Sequence, residues 1–291
     1  MKNFFHKIKH SIKNKRLSQL VMKRDWTPYE KNLLMRYGFD LEKLEELEYR
    51  PVEYITGYAK FLGYDFLVNH NVLIPRVESE GLVKLSLRFL THPDVKSKKK
   101  KFILADVGTG AGNIGISLFL EAQKKNLIMK MLMSDISEEA LKVAETNLEN
   151  LVDSSLINHF KLFKSDLLKS YPKEKLDLIV ANLPYIPQEL LETIQKSVLE
   201  FEPKLALDGG NDGLVLIKKL IKESGDLLTD KGLMILEIDS RVKISAEKLE
   251  IAATKLNFVI IHDQFNLQRY LLITKRPTRF LESITKNTQF N

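Results

Sequence analysis

FILADVGTGAGNIGI, residues 102–116, sets the architecture of this chain. FILADV is a short apolar run rich in β-formers, the pattern of a strand buried on both faces. Glycines at 108, 110 and 112 follow at once, and a helix is predicted from Asn113 to Ala122. Strand, glycine turn and helix in that order open a βαβ unit. Glycine lets the backbone turn tightly and approach a ligand, while the helix N-terminus offers free N–H groups. The spacing is G-x-G-x-G; position 113 is Asn, so the dinucleotide spacing G-x-G-x-x-G is not met. No Gly-Lys-Ser/Thr follows, which excludes a Walker loop.

The same rhythm continues downstream. Strands are predicted at Ile128–Met133, Phe160–Phe163, Leu176–Ala181 and 232–238 (GLMILEI), with helices at Glu138–Leu151, Asp212–Leu228 and Ser245–Leu256, the last capped by Ser245. Phe258–Ile261 and Tyr270–Thr274 complete the set. The segment between these two, Asp263 to Arg269, is too short for a parallel crossover, so they should pair antiparallel. The expected class is α/β, a mostly parallel sheet with helices on both faces.

Upstream, Phe4, Ile8 and Ile12 share one helix face. Thr27 with Glu30 three residues later forms a capping-box signature, and a short helix is expected over Asp40–Tyr49. Residues 1–50 therefore read as a small, basic helical module. PVEYITGYAKFLGYDFLVNHNVLIP (51–75) has strand character with turn residues at Gly57, Gly63 and Asn69–Asn71, and reads as a linking β-hairpin. A helix is expected over Glu78–Leu90. The main domain runs from 76 to 275, and residues 276–291 read as a polar tail.

Composition narrows the function. No cysteine is present, which removes disulfides, thiolate metal sites and cysteine nucleophiles, and fits a reducing, cytoplasmic setting. No metal site is expected. No uncharged apolar run reaches membrane-spanning length, and no apolar segment follows the basic N-terminus to make a secretory signal. The net charge of +7 is uneven: Met1 to Arg24 carries Lys2, Lys7, Lys9, Lys13, Lys15, Arg16, Lys23 and Arg24 and no acid. Such a segment suits contact with an acidic partner such as RNA or the ribosome, or an organellar targeting role.

Three acids end three consecutive strands. Asp106 precedes the glycines; it would repel a pyrophosphate but can hold an ammonium group. Asp135 occupies the position of a ribose-binding carboxylate, and Asp166 can accept from an adenine amino group. With Gly108, Thr109, Gly110 and Gly112 they suit S-adenosylmethionine, which has an ammonium, a ribose and an adenine but no phosphate. The fourth strand ends in VANLPYIPQ (180–188). An amide or exocyclic amine is a poor nucleophile because its lone pair is delocalised. Asn182, through its side-chain carbonyl, and Leu183, through its backbone carbonyl, can accept from such N–H groups. Pro184 restrains residue 183 to an extended conformation, and Tyr185 can pack on a planar target.

On these residues the chain resembles the HemK/PrmC family of protein glutamine N5-methyltransferases. PVEYITGYAKFLGYDF (51–66), VLIPRVESEGLV (72–83), DVGTGAGNIGI (106–116), NLPYIP (182–187) and FEPKLALDGGNDGL (201–214) carry the likeness. The resemblance implies a seven-stranded Rossmann-like class I methyltransferase sheet with its last strand antiparallel, a helical N-terminal domain and a linking β-hairpin. It implies S-adenosylmethionine as cofactor, bound by the Asp106–Gly112 loop, Asp135 and Asn182, and catalysis by Asn182–Tyr185. The implied substrate is the glutamine of the Gly-Gly-Gln tripeptide in class-1 peptide-chain release factors, and a monomer is expected.

Three positions depart from the family. Leu183 stands for its first proline, and Val77 and Ser79 interrupt a stretch that usually reads Pro-Glu-Thr-Glu. NLPY also suits adenine methylation in rRNA or DNA, but about a hundred residues precede the glycine loop here. A ribosomal-protein glutamine methyltransferase and a non-catalytic binder of S-adenosylmethionine or the ribosome are the remaining alternatives.

Overall fold

The structure, a computed structural model, describes residues 24–42, 44, 50–97 and 101–286. The basic segment as far as Lys23 and the helix expected over Phe4–Ile12 fall outside these residues, as does most of the helix expected over Asp40–Tyr49. The chain divides into two compact units between Thr56 and Gly57.

In the first unit, α1 (Pro28–Arg36) starts as expected. Thr27 and Glu30 form the reciprocal capping box, Pro28 opens the first turn, and Leu34 is buried. The segment VEYIT, expected as strand, is a short helix, α2 (Val52–Thr56). The Pro51 carbonyl accepts from the N–H groups of Tyr54 and Ile55, and Gly57 ends the turn at φ +78°. Start and stop signals thus override β-favouring side chains.

The second unit begins with a hairpin confined to β1 (Tyr58–Phe61) and β2 (Tyr64–Leu67), shorter than the expected 51–75 and part of this larger unit. Leu62 and Gly63 both have positive φ, the two-residue turn whose twist matches an antiparallel pair. Phe61 and Phe66 are fully buried, edge to face at 6.2 Å. α3 (Glu80–Thr91) follows a single 3₁₀ turn at Val77–Ser79.

The remaining strands are β3 (Phe102–Val107), β4 (Met129–Asp135), β5 (Phe160–Lys164), β6 (Leu176–Ala181), β7 (Leu228–Glu237), β8 (Asn257–His262) and β9 (Gln268–Thr274). They form one sheet in the order β5-β4-β3-β6-β7-β9-β8. β3 to β7 pair in parallel; β9 runs antiparallel between β7 and β8. The chain is therefore an α/β protein with the seven-stranded class I methyltransferase topology. Strand order reverses at β3, so the crevice at the C-terminal ends of β3, β4 and β6 is where a ligand fits. α4 (Asn113–Gln123) and α5 (Glu138–Leu151) follow β3 and β4. Two apolar cores lie on the two sides of the sheet, one containing the hairpin phenylalanines and α3, the other the apolar face of α6 (Val215–Ser224).

Three expectations are corrected. The helix read over Asp212–Leu228 spans only α6, because Gly213 is left-handed, Asp212 caps the turn, and Leu228 already opens β7. The helix read over Ser245–Leu256 is a set of turns. Leu249 and Ile251 are both buried, and residues two apart cannot share a helix face; Glu250 between them adopts φ +58°. The polar tail from 276 contains a helix, α7 (Thr278–Thr285), which buries Phe280, Leu281 and Ile284. Phe280 meets Phe89 of α3 at 6.2 Å, and the Arg276 guanidinium lies 3.3 Å from the Phe280 ring centroid. Among the described residues no helix is long and apolar enough to cross a membrane.

Leu281 is fully buried, so Leu281→Ala should cost about 2–5 kcal/mol, read as a lower urea midpoint at unchanged slope. A wild-type midpoint would mean that the helix adds nothing to the core.

Candidate active site

The crevice is a cavity walled by the glycine loop, the ends of β4 and β6, and two segments from elsewhere in the chain, Asn71–Arg76 and Pro203–Ala206. Its floor depends on Asp106. This carboxylate is fully buried; Oδ2 accepts from Thr109 Oγ1 at 2.7 Å and from Gly115 N at 2.9 Å. Oδ1 is buried with no partner among the described residues. Burial pushes the Asp106 carboxyl up to about 6, against the pull of the Thr109 and Gly115 donors and with help from the Asp135 charge. Asp106 does not line the cavity. It sits beneath the loop it was expected to open, and fixes the loop from behind.

The three glycines are all left-handed but have different reasons to be bare. A Cβ on Gly112 would meet Ile116 at 2.9 Å, Met133 at 3.2 Å and Ala144 at 3.3 Å, so this position serves the packing of α4 on α5 and the sheet and is absent from the cavity wall. A Cβ on Gly108 would lie 3.1 Å from Leu183. A Cβ on Gly110 would meet no atom within 4 Å: it would stand in the space left for a ligand. Thr109 lines the cavity as well as bonding Asp106.

Asp135 is held on the wall by backbone donors. Oδ2 accepts from Gly110 N and Oδ1 from Ser137 N, each at 2.9 Å, and burial raises its carboxyl against these donors. Asp166 lines the cavity too, but Lys219 engages both its oxygens at 2.7–2.8 Å and Lys169 one at 2.6 Å. The bonds from Lys169 and Lys219 lower its carboxyl. Any contact to a ligand would share an acceptor that two lysines already hold.

At the end of β6, Asn182, Leu183 and Pro184 line the cavity. Asn182 Nδ2 donates to Ser79 Oγ at 3.0 Å. Tyr185 does not reach the wall. Its hydroxyl donates to Glu237 at 3.0 Å, and burial, with the Glu237 charge beside it, drives its phenol well up. The expected stacking of Tyr185 on a target group is therefore not supported by its placement. The two other departures resolve simply. Val77 is exposed on the 3₁₀ turn, and Ser79, fully buried, supplies the hydroxyl that meets Asn182.

Several wall residues escape the motif reading. Ile136, directly after Asp135, is 46% exposed, and Leu167 beside Asp166 is buried in a left-handed conformation at φ +51°. A large apolar residue next to each strand-ending acid was the available signal. Asn113, at the start of α4, also lines the cavity. The far wall is closed by an ion pair between Arg76 and buried Glu202, which also accepts from Ile74 N at 3.3 Å.

Comparison with known proteins agrees with this geometry. Residues 86–210 match the family model described as Methyltransferase small domain. The chain is 38% identical over 190 residues to a release factor glutamine methyltransferase of Bacillus cereus, covering 65% of this chain and 63% of that protein. It is 34% identical to the protein of the same name from Koribacter versatilis, over 78% of this chain and 75% of that one. With the Leptospira interrogans protein the figures are 36%, 80% and 77%. Among solved structures, the N-terminal domain of human METTL16 in complex with SAH superposes with a TM-score of 0.50 at 18% identity, over 74% of this chain and 77% of that one, a likeness of fold alone.

Two outcomes test the wall. Gly112→Ala should destabilise the apo protein, because Ile116, Met133 and Ala144 must give way. Gly110→Ala, with no such clash, should cost only the left-handed penalty of about 1–2 kcal/mol yet weaken binding of a ligand in this cavity, read by titration with S-adenosylhomocysteine as probe; wild-type affinity in that variant would take Gly110 out of the site. The second concerns Asp106. Its folded-state value of about 6 lies above the ordinary carboxylate value, so the stability held by the protonated form is full below that ordinary value and lost as pH rises through about 6. Urea unfolding of wild type should weaken relative to Asp106→Asn over that window, and parallel pH curves would refute the shift.

The topology, the glycine loop and the NLPY segment occur together with 34–38% identity over 63–77% of the length of these three relatives, and the chain belongs to the release factor glutamine methyltransferases.

Proposed function

We propose that this protein transfers a methyl group from S-adenosylmethionine to the side-chain amide nitrogen of a protein glutamine, the one in the Gly-Gly-Gln tripeptide of class-1 release factors. The observation that carries the reading is the Asn182 side chain. It stands at the end of β6 beside the glycine loop, with its NH₂ group donating to Ser79 and its carbonyl oxygen without a partner among the described residues.

The wall suits the cofactor. Gly110 leaves space beside the loop amides, Asp135 is fixed by two backbone donors with lone pairs to spare for two ribose hydroxyls, and Ile136 and Leu167 offer apolar surface for a planar base. The uncompensated oxygen of Asp106 gives the loop a negative underside that favours a cationic ligand. When bound, S-adenosylmethionine supplies an electrophilic methyl group on a sulfonium. Asn182 Oδ1 and the Leu183 carbonyl accept from the two N–H groups of the target amide, which turns the nitrogen lone pair out of conjugation and orients it. Pro184 restrains Leu183 to the extended backbone that presents this carbonyl. A backbone carbonyl needs no proline side chain, so Leu183 is compatible with the role.

Incubation with S-adenosylmethionine and a class-1 release factor, followed by peptide mass spectrometry, should find one added methyl on the Gly-Gly-Gln glutamine and none in a Gln→Ala variant. Asn182→Ala should lower the rate by about a hundredfold or more, with a smaller loss of cofactor affinity. Methyl on another residue, or unchanged turnover in the variant, would overturn the reading.

A further inference from the structure

Behind Asn182 lies a chain of hydrogen bonds that ends on a buried carboxylate. Ser79 Oγ donates to Glu237 Oε2 at 2.7 Å and accepts from Asn182 Nδ2 at 3.0 Å; the Tyr185 hydroxyl donates to Glu237 Oε1 at 3.0 Å. Glu237 is 1% exposed and ends β7, the strand next to β6. Arg269 of β9 lies near it as countercharge, itself bonded to Asp263, and Glu78 adds an opposing charge from the 3₁₀ turn.

The direction of these bonds follows from atom inventory. Burial raises the Glu237 carboxyl, against the Ser79 and Tyr185 donors and the Arg269 charge; in its ionised form the carboxylate only accepts, and both hydroxyls then donate to it. Ser79 has one proton, and Glu237 takes it. Ser79 can then only accept from Asn182, and the Asn182 amide must turn its NH₂ inward and its oxygen toward the cavity. Without the carboxylate, Ser79 can donate to Asn182 Oδ1 and the amide can flip, presenting NH₂ to a target that also presents N–H. Burying a charge is costly, and an apolar side chain would fill the same space. The carboxylate supplies polarity to a hydrogen-bond chain.

We infer that Glu237 is a positioning residue for methyl transfer: through Ser79 it locks the Asn182 amide with its carbonyl oxygen toward the substrate, and through the Tyr185 hydroxyl it anchors the far end of the same NLPY segment. This inference rests on the reading of Asn182 as acceptor for the target amide.

Glu237→Gln keeps the volume but offers a donor, so it releases the constraint. It should lower kcat by about ten- to a hundredfold, the usual cost of losing a group that orients another, with KM for the release factor and affinity for S-adenosylmethionine nearly unchanged. Ser79→Ala should lose a similar factor, and Ser79→Thr, which retains the hydroxyl, should recover most of it. The Glu237→Gln, Ser79→Ala double variant should be no worse than the poorer single one, because both act through one amide. Multiplicative losses, a loss confined to KM or cofactor affinity, or no rescue by threonine would overturn the inference. Urea melts of each variant separate unfolding from this effect. An active Asn182→Ala would remove the underlying reading itself. An inactive Asn182→Ala with a fully active Glu237→Gln would sink the positioning role alone.

Discussion

A single buried carboxylate holds the cofactor edge of this fold in register. Asp106 ends β3, and its Oδ2 gathers the Thr109 hydroxyl and the Gly115 amide, so the loop between them has little freedom. Gly108 and Thr109 then pair their amides with the Ser134 carbonyl on β4, which aligns Asp135 with Gly110. Farther out, buried Asn147 of α5 donates to the Ala111 carbonyl and exchanges two bonds with Leu67 of the hairpin, at 2.7–2.9 Å. Loop, helix and hairpin are thus tied together, and the hairpin edge is closed by a side chain in place of another strand.

Two carboxylates with the same design stand under two parts of the site. Asp106 lies beneath the glycine loop and Glu237 beneath Asn182, both fully buried, both bonded through hydroxyls, and neither on the cavity wall. Each passes its acceptor character forward through a threonine or serine. The wall residues themselves can then be neutral, while the polarity that orients them stays in a low-dielectric interior where it acts most strongly.

Most strands were legible because parallel strands buried on both faces are continuous apolar runs. FILADV and the run at Leu176–Ala181 begin and end where expected, as does the helix at Glu138–Leu151 with its Ser137 cap. Errors arose where local signals conflicted. VEYIT has β-favouring side chains between helix punctuation at Pro51 and Gly57. The stretch after Ser245 has helical composition but must bury two residues on opposite helix faces. The last helix has three apolar positions among polar ones, too few to stand out without the α3 surface they cover. On the cavity wall the glycine loop and Asn182 stand where their motifs lie in the chain, whereas the contacts of Ser79 with Asn182 and Glu237 depend on β7 lying beside β6 and on α3 folding back over both. That juxtaposition is tertiary and leaves no spacing in the chain.

Leu167 shows what the cavity asks of the rest of the protein. It is a branched residue held at φ +51°, a conformation that costs an L-residue about 1–2 kcal/mol. The surroundings enforce it: Ser165 Oγ donates to its carbonyl at 2.7 Å, and Glu223 fixes the next amide at 2.9 Å. A library selected only for melting temperature would favour glycine or asparagine at this position and would strip an apolar wall from the pocket in doing so.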